Sequence, residues 1–506
     1  MSKIFTMSAE GKSEYCCNVV RIGEIKPIEG SDFLGETMVN GQSAVVRKDQ
    51  VHEGDLFFYA SNECQLNEKF LSVNNLFEIG SYELNSNAEE VKDLLSKADS
   101  TEDKDERDKY RAEAKHKVGF FNKNGRVRMI RLRKVPSYGF LFGLDEMARY
   151  CPKVKGINME DYLNQDFDTV DGELFVKAYV PYTTERTHPN GNKRNRKAQK
   201  KINRFDRMIP GEFMLHYDTN PLAKNMWRIK PDDVVTISVK LHGTSGIFAN
   251  VKTHVPIKLP LPKRIWNYFV DTTGLFKKSR IIDYTTEYGN VYSSRTVIKN
   301  QFINKDVKDG YYGTDVWNEY NEILKDKLDK GMTVYGEIVG YISGAQTMIQ
   351  KQYDYGCEVG TNKFMPYRIT TETDDGKKYE WDVSEVKEWT EQLVKKYPEI
   401  KERIHIIDIL YHGTLRNLYP QLSVTDHWHE NVLEALKNDK EHFGMELNEP
   451  LCKIYKSPRE GIVLRIDGDA VAEAFKLKTD AFFTKEQKAI DEGDVDIEME
   501  STYDEN

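Results

Sequence analysis

Lys240 lies at the end of a short run of apolar and small residues, Val235-Thr236-Ile237-Ser238-Val239-Lys240-Leu241-His242-Gly243-Thr244-Ser245. The run reads as a strand that carries a lysine into a tight turn. An amine held there can act as a nucleophile once neighbouring cations and desolvation lower its reference pKa of about 10.4. A surface lysine beside a glycine turn is the plain alternative, because K-x-x-G alone recurs about once in a few hundred residues at ordinary composition. Other chemistry-bearing pieces follow in order. Arg295 stands alone after a strand in Tyr292-Ser293-Ser294-Arg295-Thr296, and Glu337 sits inside the apolar run Val334-Tyr335-Gly336-Glu337-Ile338-Val339-Gly340. Phe364 and Tyr367 lie in Phe364-Met365-Pro366-Tyr367-Arg368-Ile369, Glu460 opens Glu460-Gly461-Ile462-Val463-Leu464-Arg465, and Lys476 and Lys478 alternate in Ala474-Phe475-Lys476-Leu477-Lys478. A charge inside such a run is costly to bury without a partner. Each piece alone could be a strand end with a satisfied charge. Together they supply a nucleophile, two carboxylates for metal or ribose, an aromatic platform, and cations for phosphate. That set suits attack on a nucleotide α-phosphate.

The elements that must position these groups are legible in outline. From residue 216 onward, strand-like runs alternate with helices. Trp317, Tyr320, Leu324 and Leu328 share one face of a helix expected over about 315–330, with Gly331 as its stop. Asp382 and Glu385 match a capping box for a helix over 383–397, with Val386, Trp389, Leu393 and Tyr397 as its apolar stripe and Pro398 ending it. A third helix is expected over 426–438. Towards the N-terminus, residues 17–60 hold short β-branched runs separated by turn signals, among them Asn40-Gly41, and five or so such strands would make a small β-barrel. Residues 85–117 are dense in charge and lack Gly and Pro, which predicts a solvated helical insertion between two strands. In Gly125–Arg133, one β-bulge near 129–130 would put Arg126, Arg128, Arg131 and Arg133 on one face, where they could track phosphates. A solvated strand face is the equal alternative. Nine basic residues and one acidic residue fall within 186–207, among them Lys197 and Lys200, so this connector is a candidate nucleic-acid contact or a plain linker. Residues 490–506 carry eight acids and no base and read as a solvated tail.

The chain has 506 residues, 31% of them charged, and a net charge of −9. This is a globular composition without a global basic footprint, so any nucleic-acid contact must use local basic surfaces. No apolar run is long enough to span a bilayer, and the start lacks the apolar core of a secretory leader. Six cysteines without a C-x-x-C pair make neither a disulfide framework nor a zinc site. His427 and His429 do not share a helix face, which argues against a metal pair there. A reducing, cytoplasmic compartment is expected, with no membrane partner and a monomeric chain.

The order and wording of the pieces resemble the covalent nucleotidyltransferase superfamily of ATP-dependent ligases and mRNA-capping guanylyltransferases. KLHGTS looks like motif I, SSR like motif Ia, YGEIVG like motif III, FMPYRI like motif IIIa, EGIVLR like motif IV and FKLK like motif V. The histidine of K-L-H-G is similar to phage-type and related RNA ligases. The N-terminal segment VVRIGEIKPIEGSD…GQSAVVRKDQVHEGDLFFYA, with RVRMIRLRKVPSYGF, resembles the OB domain that precedes the ligase domain in one RNA ligase branch. Most DNA ligases carry that domain after motif V, which argues against a DNA ligase or a capping enzyme. The resemblance implies an α+β chain: an OB-type β-barrel over 1–165 and a nucleotidyltransferase domain with antiparallel sheets and flanking helices over 216–489. The helical insertion at about 85–117, the basic connector over 166–215 and a proline-containing segment at 253–275 lie outside the resemblance. An acidic tail over 490–506 follows.

It also implies roles. Lys240 attacks the ATP α-phosphorus and forms lysyl-AMP. Arg295 contacts ribose or nucleic-acid phosphate. Glu337 binds ribose or metal, and Glu460 helps hold Mg²⁺ or Mn²⁺. Phe364, favoured over Tyr367, stacks on adenine. Lys476 and Lys478 bind the α-phosphate and favour a neutral Lys240 by like-charge repulsion. The AMP then moves to a 5′-phosphate end and a 3′-hydroxyl displaces it, on nicked RNA or an RNA-containing duplex. Outside the resemblance, the basic residues Arg126, Arg128, Arg131, Arg133, Lys197 and Lys200 are expected to hold that duplex. Val239 stands where some phage-type relatives have an adenine-reading carboxylate, so base recognition is expected elsewhere, around His216–Thr219. A DNA ligase, or a non-catalytic nucleic-acid-binding protein of the same fold, is the alternative. The presence of Lys240, Glu337, Glu460, Lys476 and Lys478 together favours catalysis.

Overall fold

The computed structural model describes residues 3–9, 11, 13–179, 205–216, 219–273, 283–303, 314–373, 375–444, 455–467 and 473–491. The chain divides into two units. The first comprises Met1–Tyr182, Ala223–Met226 and Glu486–Lys488, and the second comprises Thr183–Leu222, Trp227–Lys485 and Ala489–Asn506.

The first unit is mixed α and β around an aromatic core. Phe5, Phe58, Phe70, Phe142, Phe167 and Phe175 are buried together. Its described strands are short and divide among small antiparallel sheets. The largest has four strands, with Cys17–Arg21 and Leu56–Ala60 in the centre, Phe140–Phe142 on one edge and Asp166–Phe167 on the other. The expected hairpin at Asn40-Gly41 is present. It joins Leu34–Val39 to Gln42–Arg47, and both turn residues have positive φ, 48° and 70°, as the right-handed twist of a tight hairpin requires. The charged stretch forms two helices, Ala88–Ser100 and Lys104–His116. They bury a small core of their own, Val91, Leu94 and Ala114.

The arginine face expected over Gly125–Arg133 does not form. Only Ile130–Leu132 is strand, paired with Val135–Ser137. Arg133 and Lys134 make the two-residue turn between them with φ of 52° and 72°. Arg131, Arg133 and Lys134 are exposed, whereas Arg126 is 2% exposed. The Arg126 guanidinium donates to Glu63 from Nε at 2.9 Å and lies within 2.6 Å of it through Nη2. Arg128 donates to Asn122 at 2.9 Å. The alternation in the sequence missed this because a half-buried carboxylate on the adjoining segment claims Arg126. Lys197 and Lys200, and the connector around them, lie outside the described residues.

The second unit holds two five-stranded sheets. In the first, the order is Asn220–Pro221, Glu473–Lys478, Gly461–Ile466, Val234–Lys240 and Ile409–Thr414. In the second, it is Tyr284–Ser293, Thr244–Pro256, Met332–Gly340, Asn362–Glu372 and Lys378–Glu380. All neighbours are antiparallel except Asn220–Pro221, which runs parallel to Glu473–Lys478. The helix expected over 315–330 is shorter, Val316–Leu324, with Asp315 capping the N–H of Asn318. Its apolar face, Trp317, Tyr320 and Leu324, packs on the second sheet with Leu328 beyond its end. The helix Val383–Lys396 carries the expected reciprocal cap of Asp382 and Glu385. The third forms over Trp428–Asn438.

Removing one partner of a buried ion pair strands the other charge in the interior. Arg126→Ala is therefore expected to lower the stability of this protein by about 3 kcal/mol, read as a drop in thermal midpoint. Arg131→Ala, on the exposed turn, is expected to leave the midpoint unchanged.

Candidate active site

Two-residue alternation sets up the site. Val235, Ile237 and Val239 are buried on one face of their strand, which leaves Thr236, Ser238 and Lys240 on the other. The register then aligns the cations. Lys240 is opposite Gly461, and Gly461 is opposite Lys478. One row further along, Ser238 is opposite Val463, and Val463 is opposite Lys476. Directly paired residues share a face, so Lys240, Lys476 and Lys478 point to the same side of one sheet. Gly461 lies between Lys240 and Lys478 at a φ of 151°, and a Cβ there would come within 1.9 Å of the Leu477 carbonyl oxygen. No other residue fits that crossing.

Glu460, just before Gly461, is 4% exposed and is the centre of the charge cluster. Its Oε1 lies 2.9 Å from the Lys240 ammonium and 3.8 Å from that of Lys478, and its Oε2 lies 3.9 Å from His242 Nδ1. Burial opposes the carboxylate's charge, but Lys240, Lys478 and His242 outweigh it and bring its pKa down to about 2. Burial likewise opposes the Lys240 ammonium. Glu460 overcomes that and the repulsion of Lys478, with help from Glu337, so the amine is held above its ordinary range. This corrects the expectation that neighbouring lysines keep Lys240 neutral: Lys478 acts in that direction, and a carboxylate at contact distance is stronger.

Glu337 faces Ser245 on one neighbouring strand and Met365 on the other. Its Oε1 accepts the backbone N–H of Gly243 at 2.9 Å. A Cβ on Gly243 would stand 2.3 Å from the Ile338 carbonyl oxygen and 2.9 Å from the Glu337 side chain, so this glycine permits the approach. The turn after Lys240 is also held by a loop that sequence reasoning overlooked. Tyr355 Oη accepts the N–H of His242 at 2.7 Å, and Gln350 Nε2 donates to the Gly243 carbonyl at 2.9 Å. Tyr353 Oη donates to the Pro458 carbonyl at 2.9 Å, and Ser457 Oγ donates to the Gln352 carbonyl at 2.9 Å. One loop thus ties the nucleophile turn to the segment that carries Glu460. The only sequence trace of it is the closely spaced Gln350-Lys351-Gln352-Tyr353-Asp354-Tyr355, which has no strand or helix periodicity.

The two sheets meet at Val239, Leu241, Val339 and Ile407, with Met365 and Tyr367 packed against them. Tyr367 is half-buried and lies edge-on to His216, with 5.7 Å between ring centroids. Phe364 is elsewhere. It is fully buried on the opposite face of its strand, 5.0 Å from the Phe248 ring and 5.6 Å from that of Tyr320. A ring enclosed in the core cannot stack on a ligand, which corrects the preference for Phe364. Arg295 is half-buried in the bend after Tyr284–Ser293.

Residues 233–478 match the family model described as RNA ligase. No curated protein matches the chain. Three solved structures are similar: a variant of the Naegleria gruberi RNA ligase with ATP and Mn, the same ligase with PPi, and a second variant with AMP and Mn. Each is 16% identical, over 93% of this chain and 98% of that one, with a TM-score of 0.48. The matched segment begins one residue before the strand that carries Lys240 and ends at Lys478, so it spans every residue of the charge cluster. The segment 233–478 of this chain is thus similar to the RNA ligase family.

Proposed function

We propose that this RNA ligase joins a 3′-hydroxyl to a 5′-phosphate end by way of a Lys240–AMP intermediate formed from ATP. The observation that carries the reading is the row Lys240–Gly461–Lys478 with Glu460 buried against both amines, inside the RNA ligase segment. The Lys240 amine attacks the α-phosphorus, the bond to the β-phosphate oxygen breaks, and pyrophosphate leaves. The AMP passes to the RNA 5′-phosphate with release of the amine, and the 3′-hydroxyl then displaces AMP. Lys478 and Lys476, on the same face as Lys240, supply positive charge where the phosphorus gains negative charge. Glu337 anchors the turn through Gly243, so it fixes where the amine points and stands ready for the ribose.

Glu460 fits a divalent cation by its chemistry, since it is a buried carboxylate that stays ionised across the working pH range. Mg²⁺ or Mn²⁺ bound there would add positive charge against the phosphates. Any such engagement of Glu460 also weakens its hold on the Lys240 proton. The amine must lose that proton before it attacks, and burial and Lys478 then favour the neutral form.

Tyr367 replaces Phe364 as the stacking residue in this reading. It is half-buried on the face that carries Met365, the cross-strand partner of Glu337, and it sits beside His216. The N-terminal unit, with its small antiparallel sheets and exposed Arg131 and Arg133, is read as an OB-type module for the RNA strand.

The deciding experiment incubates the protein with α-labelled ATP and Mg²⁺ or Mn²⁺ and looks for label on the denatured chain. Label on wild type and none on Lys240→Ala is expected. No label on either, with GTP and NAD also tried and pre-adenylated protein excluded, would leave the non-catalytic binding reading. Glu460→Gln separates the roles of the carboxylate. It removes the charge that raises the Lys240 pKa while burial and Lys478 remain. The amine is then expected to react faster with a small acylating reagent at pH 8, read by mass spectrometry, while its adenylylation by ATP falls. Equal reagent reactivity in the two proteins would contradict the ion-pair account. Tyr367→Ala is expected to raise the ATP concentration needed for half-maximal adenylylation with the thermal midpoint little changed. Phe364→Ala is expected to cost about 3–5 kcal/mol of stability, and a selective ATP defect in that variant would restore Phe364 as the stacking ring.

A further inference from the structure

The helix Asp480–Asp491 follows directly on the strand that ends in Lys478. Phe482 and Phe483 lie in its first turn, and the Lys478 ammonium sits over both rings, 5.2 Å and 5.6 Å from their centroids. His242, two residues past the nucleophile, packs edge-on against Phe482 at 5.1 Å and against Tyr353 at 4.9 Å. Lys485 also meets this aromatic group. Its ammonium is 4.1 Å from the Tyr353 ring centroid and 3.2 Å from Ser457 Oγ. Tyr353 and Ser457 are the residues that fix the segment carrying Glu460. Lys485 is therefore one ring away from His242, and its partner Ser457 lies three residues before Glu460, all inside the second unit.

Lys485 is half-buried, and among the described residues its ammonium meets a hydroxyl and a ring face. Burial first, and then Lys351, bring its pKa down to about 8. Two lysines that repel one another beside a nucleotidyl-transfer centre form a field that an anion would relieve. A structural lysine would be expected to meet a carboxylate there.

We infer that Lys485 is a phosphate-binding residue of this ligase, with its ammonium placed by the Tyr353 ring and Ser457 to meet a phosphoryl group entering the Lys240 centre. The inference rests on the adenylylation reading above. Two sources share the chemistry, the β- and γ-phosphates of ATP and the 5′-phosphate of the RNA.

The experiment compares Lys485→Met and Lys485→Arg with wild type in three separated steps: adenylylation of Lys240 against ATP concentration, transfer of AMP from the isolated lysyl-AMP protein to 5′-phosphate RNA, and sealing of RNA that already carries AMP on its 5′ end. If the ATP tail is the ligand, Lys485→Met needs about tenfold more ATP for half-maximal adenylylation. The other two steps stay at wild-type rate, and Lys485→Arg restores the first. If the RNA 5′-phosphate is the ligand, the first and third steps hold and the second falls by about the same factor, again with rescue by arginine. Either pattern supports the inference and names the source. A parallel loss in all three steps without arginine rescue would show a structural anchor and overturn it, as would no change in any step. A wild-type protein that takes no label from ATP would instead count against the adenylylation reading itself, which the same assay shows at the outset.

Discussion

The contact between Lys240 and Glu460 organises the catalytic half of this molecule. Two opposite charges that are both taken out of water must satisfy each other, and here they do so at 2.9 Å with a second lysine and a histidine in range. The pair fixes where the strand Val234–Lys240 may end relative to Gly461–Ile466, since a slip of one residue would turn Lys240 to the other face. It also sets the resting state. A lysine held protonated by a carboxylate is a poor nucleophile, so in the proposed reaction the amine is freed when phosphate and cation compete for the same groups. In that reading charge pairing is a latch on reactivity as well as a stabilising contact.

The parts of this design that were legible in the sequence are local ones. Alternation in AFKLK places Lys476 and Lys478 on one face of their strand, and alternation in VTISVK sets Lys240 opposite the apolar face of its own. The Asp382–Glu385 spacing gives a cap, and Asn40-Gly41 gives a hairpin turn, because each depends only on neighbours in the chain. What stayed hidden depends on distant partners. Phe364 and Tyr367 are separated by an odd step, so they fall on opposite faces of the strand, and only the packing of Phe248 and Tyr320 decides which face is core. Arg126 looked like one of four equivalent arginines until Glu63 was placed beside it. The sign of the Lys240 shift was misjudged for the same reason, since the position of Glu460 against the amine comes from strand register and not from spacing along the chain.

The loop Gln350–Tyr355 shows how irregular chain can be held as firmly as a strand. Four hydrogen bonds between 2.7 and 2.9 Å tie it to the turn at His242-Gly243 and to Ser457-Pro458. Gln352 and Tyr355 adopt positive φ, 70° and 49°, which side chains with a Cβ adopt rarely. That backbone cost is borne where the loop must present a hydroxyl and an amide to two separate segments at once. The nucleophile turn and the Glu460 segment are therefore not independent parts, and a displacement of one is transmitted to the other through a few side chains.

The long hairpin of Thr244–Pro256 and Tyr284–Ser293 has a different character at its two ends. Its proximal end pairs Ser245 with Glu337, at the site, and its far end pairs Pro256 with Tyr284. Those ends are roughly 40 Å apart at the rise of an extended strand. The helix Leu261–Thr273 grows from the far end. Chain length added there leaves every pairing near Lys240 in register, because antiparallel partners are counted from the sheet outward and not from the tip inward. The tip is thus the position at which this chain can gain or lose a whole appendage, whether in nature or in the laboratory, without altering the register around Lys240.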